Sequence, residues 1–379
     1  MRILYDHQIF TYQKFGGISR YFAELIKCCS DIDNVDYILG LKESCNESLI
    51  NTGLAKKHHI KVPSSSDNRF MLVRRHLKNR LYTRKLIKEN NFDLFHPTFY
   101  FPAITRKLRR KPFVITIVDM IPERFPELYP VNGPYAKYIT YNWINGKKEL
   151  VKNAAAIITI SEKTRQDIVE IYGISPDKIK VIHLGNSISS SNSSPSTLKL
   201  PARYLLFVGN RNCYKNFYRF LAAAAEIIKE DRELSIVCTG GGKFSEEENT
   251  WISSLSLAGK IYQHNVADTE LYNVYRNAEA FIFPSLYEGF GIPILEAFAA
   301  QCPAVLSDAS CFPEIAGNAA IYFDPNDEDS ISKSIKRVIY DPDLAESIKA
   351  KGLERGKKFS WQETCRQTIE VYKSVLDNT

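Results

Sequence analysis

Seven residues separate Glu288 from Glu296 in the stretch Phe283-Pro284-Ser285-Leu286-Tyr287-Glu288-Gly289-Phe290-Gly291-Ile292-Pro293-Ile294-Leu295-Glu296-Ala297. The spacing reads as a strand end, a glycine loop, and a helix with proline in its first turn. Glycines at 289 and 291 let backbone approach a ligand, and free N–H groups at the helix start suit a phosphate. Two carboxylates flanking such a loop can hold sugar hydroxyls on either side of a diphosphate. The plainer reading, a loop glutamate beside a surface helix glutamate, needs no ligand at all.

A second constellation is Phe207-Val208-Gly209-Asn210-Arg211-Asn212-Cys213-Tyr214-Lys215-Asn216-Phe217. An apolar strand ends at glycine, and Arg211 and Lys215 follow before the next helix. A diphosphate leaving group needs its charge neutralised, and two fixed cations do that without metal. Gly16-Gly17 after the first strand, and Gly240-Gly241-Gly242-Lys243 after a later one, are weaker signals of the same kind. Asp93-Leu94-Phe95-His96-Pro97-Thr98 and Thr116-Ile117-Val118-Asp119-Met120-Ile121-Pro122 both end strands. That places His96 and Asp119 where open α/β sheets bind ligands.

These loops need a frame of parallel strands and helices. Apolar runs alternate with amphipathic stretches along the chain's 379 residues, which is too long for one ordinary domain. Strands are expected at 3–5, 37–39, 94–95, 113–117, 156–159 and 180–182, then at 204–209, 234–238, 280–283, 304–307 and 320–323. Between the two sets lies Ser187-Ile188-Ser189-Ser190-Ser191-Asn192-Ser193-Ser194-Pro195-Ser196, too polar to bury itself. The expected fold class is α/β. It comprises a Rossmann-like domain over 1–186, a linker over 187–200, a second Rossmann-like domain over 201–360, and a final helical stretch over 361–379.

Taken together these motifs resemble the retaining glycosyltransferases of family 4, which have the GT-B fold of two Rossmann-like domains facing across a cleft. The Glu288/Glu296 element matches that family's pattern. Its flanks match as well, with Ala278–Ser285 before it and Pro303-Ala304-Val305 and Phe312-Pro313-Glu314-Ile315-Ala316-Gly317 after it. The resemblance implies that Glu288 meets the donor sugar, Glu296 the ribose, the amides of Phe290 and Gly291 the sugar and diphosphate, and Arg211, Lys215 and Gly17 the phosphates. It also implies an acceptor-side first domain with Gly16, His96 and Asp119, a donor-binding second domain, and a last helix that returns to the first domain. Many relatives carry His-Asp where this chain has Val118-Asp119. Asp119 then remains as the acceptor-side base, with His96 as a stand-in for the missing histidine.

The activity implied is metal-independent transfer of a hexose-type sugar from a nucleotide sugar to a glycan. A lipid-linked intermediate of cell-surface polysaccharide synthesis is the expected acceptor, and no cofactor is expected. Two other readings stay open: a nucleotide-sugar 2-epimerase of the same fold, and a non-catalytic nucleotide-sugar-binding module. Asp31-Ile32-Asp33 has the form of a metal-binding pair but follows a helix rather than a central strand, and is read as chance.

Charge is uneven: residues 1–185 hold 30 Lys and Arg against 18 Asp and Glu, and the remaining chain 20 against 25. Residues 69–88 concentrate the excess, with Arg69, Arg74, Arg75, Lys78, Arg80, Arg84, Lys85 and Lys88 among apolar neighbours; residues 106–111 add a second cluster. Such a helix either lies on an anionic membrane surface or packs by its leucines with a solvated basic face. The eight cysteines form no CxxC pair and no secreted framework. With no signal segment and no long apolar run, the expectation is a cytoplasmic protein, peripheral on the cytoplasmic face of the membrane. Nucleic acid is not an expected partner.

Overall fold

The computed structural model describes residues 1–30, 32–63, 69–108, 111–128, 134–190, 198–211 and 213–379. Asp31 of the Asp31–Asp33 pair, residues 191–197 of the serine-rich segment, and Arg109 and Arg110 of the second basic cluster lie outside the described residues. The chain divides into two compact units, Met1–Leu184 with Trp361–Thr379, and Gly185–Ser360.

The first unit is built on strands β1 (Arg2–Tyr5), β2 (Asp36–Leu39), β3 (Leu94–His96), β4 (Val114–Ile117), β5 (Ala156–Thr159) and β6 (Ile179–Val181). All pairings are parallel, in two runs ordered β2-β1-β3 and β4-β5-β6. A single bridge between Phe95 and Phe113 joins them, backed by the Phe95 amide donating to the Pro112 carbonyl at 3.1 Å. The chain therefore lays β2 on one side of β1 and crosses to the other for β3. That reversal opens a switch point at the carboxyl ends of β1 and β3, the position where open α/β sheets take ligands.

Helix Gly17–Cys29 follows because Tyr21, Phe22, Leu25, Ile26 and Cys29 line one face at helical spacing, and all are buried. The last helix, Trp361–Asp377, packs into this same unit. Its Trp361, Cys365 and Tyr372 are buried, and the Thr364 hydroxyl donates to the His183 carbonyl at 2.7 Å. Helix Pro134–Asn153 passes so close to the loop after β3 that a Cβ on Gly146 would sit 2.2 Å from the Tyr100 carbonyl oxygen. Only glycine fits there.

The second unit carries β7 (Arg203–Val208), β8 (Leu234–Thr239), β9 (Ile261–His264), β10 (Ala280–Phe283), β11 (Ala304–Ser307) and β12 (Ile321–Phe323). Their order is β12-β11-β10-β7-β8-β9, all parallel. This is the doubly wound order, with its switch point between β7 and β10. Strand β9 escapes the sequence pattern because, at the sheet edge, it stays partly exposed and lacks an apolar run. Phe207, Phe217 and Phe220 anchor the core between this sheet and the helix Phe217–Glu230.

The basic helix forms over Arg69–Glu89, but it does not pack by its leucines. Arg75, Asn79, Thr83 and Ile87 face inward and are buried. Phe70, Val73, Leu77 and Leu81 follow one another at helical spacing on the outward face, exposed by 75%, 63%, 53% and 54%. The reading of a helix packed by its leucines is thus overturned. Asn79 takes the inward place because its side-chain oxygen accepts from the amides of Lys42 and Glu43 while its NH2 donates to Thr11 Oγ1 and the Glu43 carbonyl.

Candidate functional site

In the second unit the loops leaving β7 and β10 meet across the switch point. Lys215 Nζ lies 2.6 Å from Glu288 Oε1, each side chain 12% exposed. The Leu286 amide donates to the Tyr214 carbonyl at 2.8 Å, so backbone holds the two loops in register. Phe283 and Tyr214 place their rings within 5.3 and 5.4 Å of the ammonium. Lys215 is therefore a cation held by one carboxylate and two aromatic faces.

The Glu288 loop is fixed from the next βα turn. Ser310 Oγ accepts from the Glu288 amide at 3.1 Å and donates to its carbonyl at 2.7 Å. The Cys311 thiol donates to the carbonyls of Glu288 and Phe290, and its burial pushes the thiol well above its usual pKa. Gly291, at φ +94°, then turns the chain into the helix Ile292–Ala299. A side chain there would be strained, and it would crowd Ile294 and Phe312. Glu296 is on the buried side of this helix, accepting from the Tyr275 hydroxyl at 3.0 Å. It is not a surface helix glutamate.

Arg211 is placed differently from Lys215. Its Nε donates to Glu248 Oε1 at 2.5 Å, Nη1 to the Gly240 carbonyl, and Nη2 to the carbonyls of Gly241, Gly242 and Lys243 and to Glu248 Oε2. The side chain is 4% exposed and its guanidinium stands 4.8 Å from the Phe244 ring centre. Three successive left-handed glycines, at φ +84°, +69° and +71°, turn these carbonyls onto one cation. The two cations expected to serve a diphosphate are placed unlike each other: Lys215 stands at the switch point, while Arg211 donates into the glycine loop. Glu248 belongs to none of the sequence motifs. Its one legible signal was Ser245, three residues earlier, with which it forms a reciprocal capping box.

In the first unit Gly16 and Gly17 open the Gly17–Cys29 helix, and a Cβ on Gly17 would touch nothing within 4 Å. Asp119 lies two residues past the end of β4, half-buried, its Oδ1 accepting from the Ile121 amide at 3.1 Å. Buried Lys147 donates to the Asp119 carbonyl at 3.1 Å and pairs with Glu123 at 2.9 Å. Val118 is buried, and its amide donates to the Tyr100 hydroxyl.

His96 is corrected outright. It is fully buried, with Nδ1 2.6 Å from the Tyr372 hydroxyl and Nε2 3.0 Å from Thr116 Oγ1. Burial lowers its pKa to about 3, so it is neutral with both ring nitrogens engaged inside the core. It has no path to an acceptor and cannot replace the histidine absent at Val118.

The chain is 31% identical over 293 residues, 74% of each chain, to O-antigen chain mannosyltransferase B of Escherichia coli. The chain belongs to glycosyltransferase family 4. Residues 15–188 match the Glycosyltransferase Family 4 model, and residues 190–355 match the model for glycosyl transferases group 1. O-antigen chain mannosyltransferase RfbU of Salmonella typhimurium is 30% identical over 264 residues, 69% of each chain. In fold, this transferase resembles the Anabaena HepE protein solved with UDP and glucose, at TM-score 0.71 and 16% identity, over 99% of this chain and 100% of that one. It is a glycosyltransferase with the GT-B fold of two Rossmann-like domains.

Proposed function

We propose that this glycosyltransferase moves a hexose from a nucleoside diphosphate sugar onto a glycan of a cell-surface polysaccharide, retaining the anomeric configuration and using no metal. The observation that carries this reading is the Lys215–Glu288 pair at the second unit's switch point, beside a glycine-capped helix start. Two relatives named for O-antigen mannosyl transfer make mannose the first sugar to test. The diphosphate leaves with its charge met by Lys215 and by the amides that open the Ile292–Ala299 helix. The acceptor oxygen attacks the same face of the sugar and passes its proton to the leaving phosphate oxygen. Glu288 steadies the positive charge developing on the sugar ring, and Glu296 holds the ribose. Asp119 and Gly16 belong to the acceptor side, Gly17 and the amides of Phe290 and Gly291 to the donor.

A nucleotide-sugar panel tests this directly. One GDP- or UDP-linked hexose should raise the melting temperature by mass action, and free nucleotide should appear only when an acceptor glycan is added. Proton NMR of the product should show the donor's anomeric configuration. An inverted product would refute retention, and nucleotide release independent of acceptor would refute transfer.

Membrane attachment belongs to the same reading. Among the described residues no helix is long and apolar enough to cross a membrane. The outward face of the Arg69–Glu89 helix nonetheless sets Phe70, Val73, Leu77 and Leu81 among Arg74, Lys78, Arg84, Lys85 and Lys88. Basic residues near an anionic surface contribute about 1 kcal/mol each, and the apolar stripe adds area for lipid to cover. Lys78 is paired with Glu43, Lys85 with Glu89 and, in the second basic cluster, Arg106 with Glu149, so these three contribute less. The protein should sediment with phosphatidylglycerol vesicles and not with phosphatidylcholine vesicles, losing affinity as salt rises. Replacing Arg74, Lys78, Arg84 and Lys85 by glutamine should reduce binding. Equal sedimentation with both vesicle types would rule out an anionic membrane contact.

A further inference from the structure

Glu296 carries a carboxylate into an otherwise apolar helix. Its neighbours Ile294, Leu295, Ala297 and Phe298 are all buried, and Glu296 itself is 3% exposed. A carboxylate in such a row weakens folding unless it is hydrogen-bonded. The Tyr275 hydroxyl supplies a bond, donating to Oε2 at 3.0 Å. Tyr275 comes from the helix Asp268–Arg276, where Leu271, Val274 and Tyr275 fall at helical spacing on the buried side. Phenylalanine would fill that place as well, but it would bring no hydroxyl to the carboxylate.

Two contacts fix the tyrosine ring. It stands edge-on to Phe281 of β10, with centres 5.4 Å apart and planes at 71°. Its helix is tied to β7 by Tyr204, whose hydroxyl donates to the Val274 carbonyl at 2.7 Å. Both tyrosines are buried. Phe281 and Phe283, two residues apart on one face of β10, have ring centres 5.4 Å from each other. Phe283 is also the ring that faces the Lys215 ammonium. One row of rings along β10 therefore reaches from Tyr275, and through it Glu296, to the cation of the switch point.

A carboxylate anchored through one oxygen loses torsional freedom but keeps capacity, since the group accepts about four hydrogen bonds in all. The two hydroxyls of a ribose sit at a fixed separation, so a carboxylate that serves both must be set in one plane. Setting it before the nucleotide arrives lowers the ordering cost of binding. We propose that Tyr275 is a positioning residue for the donor: its hydroxyl orients the Glu296 carboxylate toward the paired 2′- and 3′-hydroxyls of the nucleotide's ribose. This rests on the reading that Glu296 holds the ribose, and Tyr275 acts through Glu296 without touching the ligand.

Calorimetric titration with GDP, UDP and their 2′,3′-dideoxy forms tests this without turnover. Wild type should bind one of the two diphosphates, and more tightly than its dideoxy form. Tyr275→Phe keeps the ring and removes the hydroxyl. It should weaken the ribose form about tenfold, the scale of a hydrogen bond to a charged group, and the dideoxy form by less than about twofold. Tyr204→Phe is the matched control, because it takes a buried hydroxyl from the same helix and leaves the bond to Glu296 in place. Its preference for ribose over dideoxyribose should equal that of wild type. Melting temperatures give the stability cost of each variant, and affinities are compared at a temperature where all three proteins are folded. Equal weakening of ribose and dideoxy forms in Tyr275→Phe, no weakening of either, or the same ribose-specific loss in Tyr204→Phe would overturn the positioning role. Equal affinity of wild type for ribose and dideoxy forms would instead remove Glu296 from the ribose. Failure of wild type to bind either diphosphate would overturn the transferase reading, so the three failures are distinct.

Discussion

Lys215→Ala should cut transfer turnover by about 10²–10³-fold with saturating donor and acceptor, the usual cost of losing one fixed donor to a developing negative charge. The ammonium is held at 2.6 Å by Glu288, in a setting where each side chain is only 12% exposed. A diphosphate arriving at the switch point meets a cation already desolvated and aimed by the rings of Phe283 and Tyr214. No reorganisation is needed at the moment of departure, which is what makes such a charge effective. The variant also leaves Glu288 without its cation, so thermal melting must confirm that the second unit stays folded. Magnesium or manganese should not rescue it, and chelator should not diminish the wild-type rate. Glu288→Gln keeps a hydrogen bond to Lys215 but removes the negative charge, and should also lose most turnover. Lys215→Ala activity within a few-fold of wild type, or full rescue by manganese, would place the phosphate handling elsewhere.

Lys215 and Glu288 stand out in the sequence singly, not as a pair, because each lies in the βα turn that follows an apolar strand. Glycines at 209 and 291 mark the turns, and the parallel sheet brings their carboxyl ends to one edge. Side-chain partners distant in sequence were not legible. His96 looks like a strand-end ligand by position, yet Tyr372, 276 residues later, closes over it. The Arg69–Glu89 helix misleads for a related reason. Its leucines suggest burial by type, but Asn79 and Thr83 win the inward side by hydrogen-bonding backbone of the strand-end loops, including the Gly40 carbonyl. Hydrophobic patterning cannot foresee a contact decided by unsatisfied backbone groups. Ser310 and Cys311 are invisible for the same reason, since they act on carbonyls and an amide of a loop more than twenty residues earlier.

The largest stability effect should come from Arg211→Ala. Its guanidinium is the common partner of Glu248 and of four consecutive carbonyls, Gly240 to Lys243. Removing it strands a nearly buried carboxylate and leaves a run of left-handed glycines with nothing holding their carbonyls. Breaking a buried ion pair by deleting one partner costs about 3–5 kcal/mol. For a unit of this size each kcal/mol lowers the melting temperature by roughly 2–4 °C. Glu248→Gln should cost much less, because an amide can still accept from the guanidinium and the carbonyl cage remains. Arg211→Lys should fall near the alanine variant, since an ammonium cannot span a carboxylate and four carbonyls at once. Hydrogen exchange should show the loss first in peptides covering residues 240–254, where the glycine loop runs into the capped helix Glu246–Ser254. Donor affinity separates two roles for the arginine. If it acts by shaping the loop, Glu248→Ala should weaken nucleotide-sugar binding along with Arg211→Ala, although the cation is still present. If Arg211→Ala melts within about 2 °C of wild type while donor binding collapses, the guanidinium serves the phosphate directly and the caged arrangement must open when the donor binds.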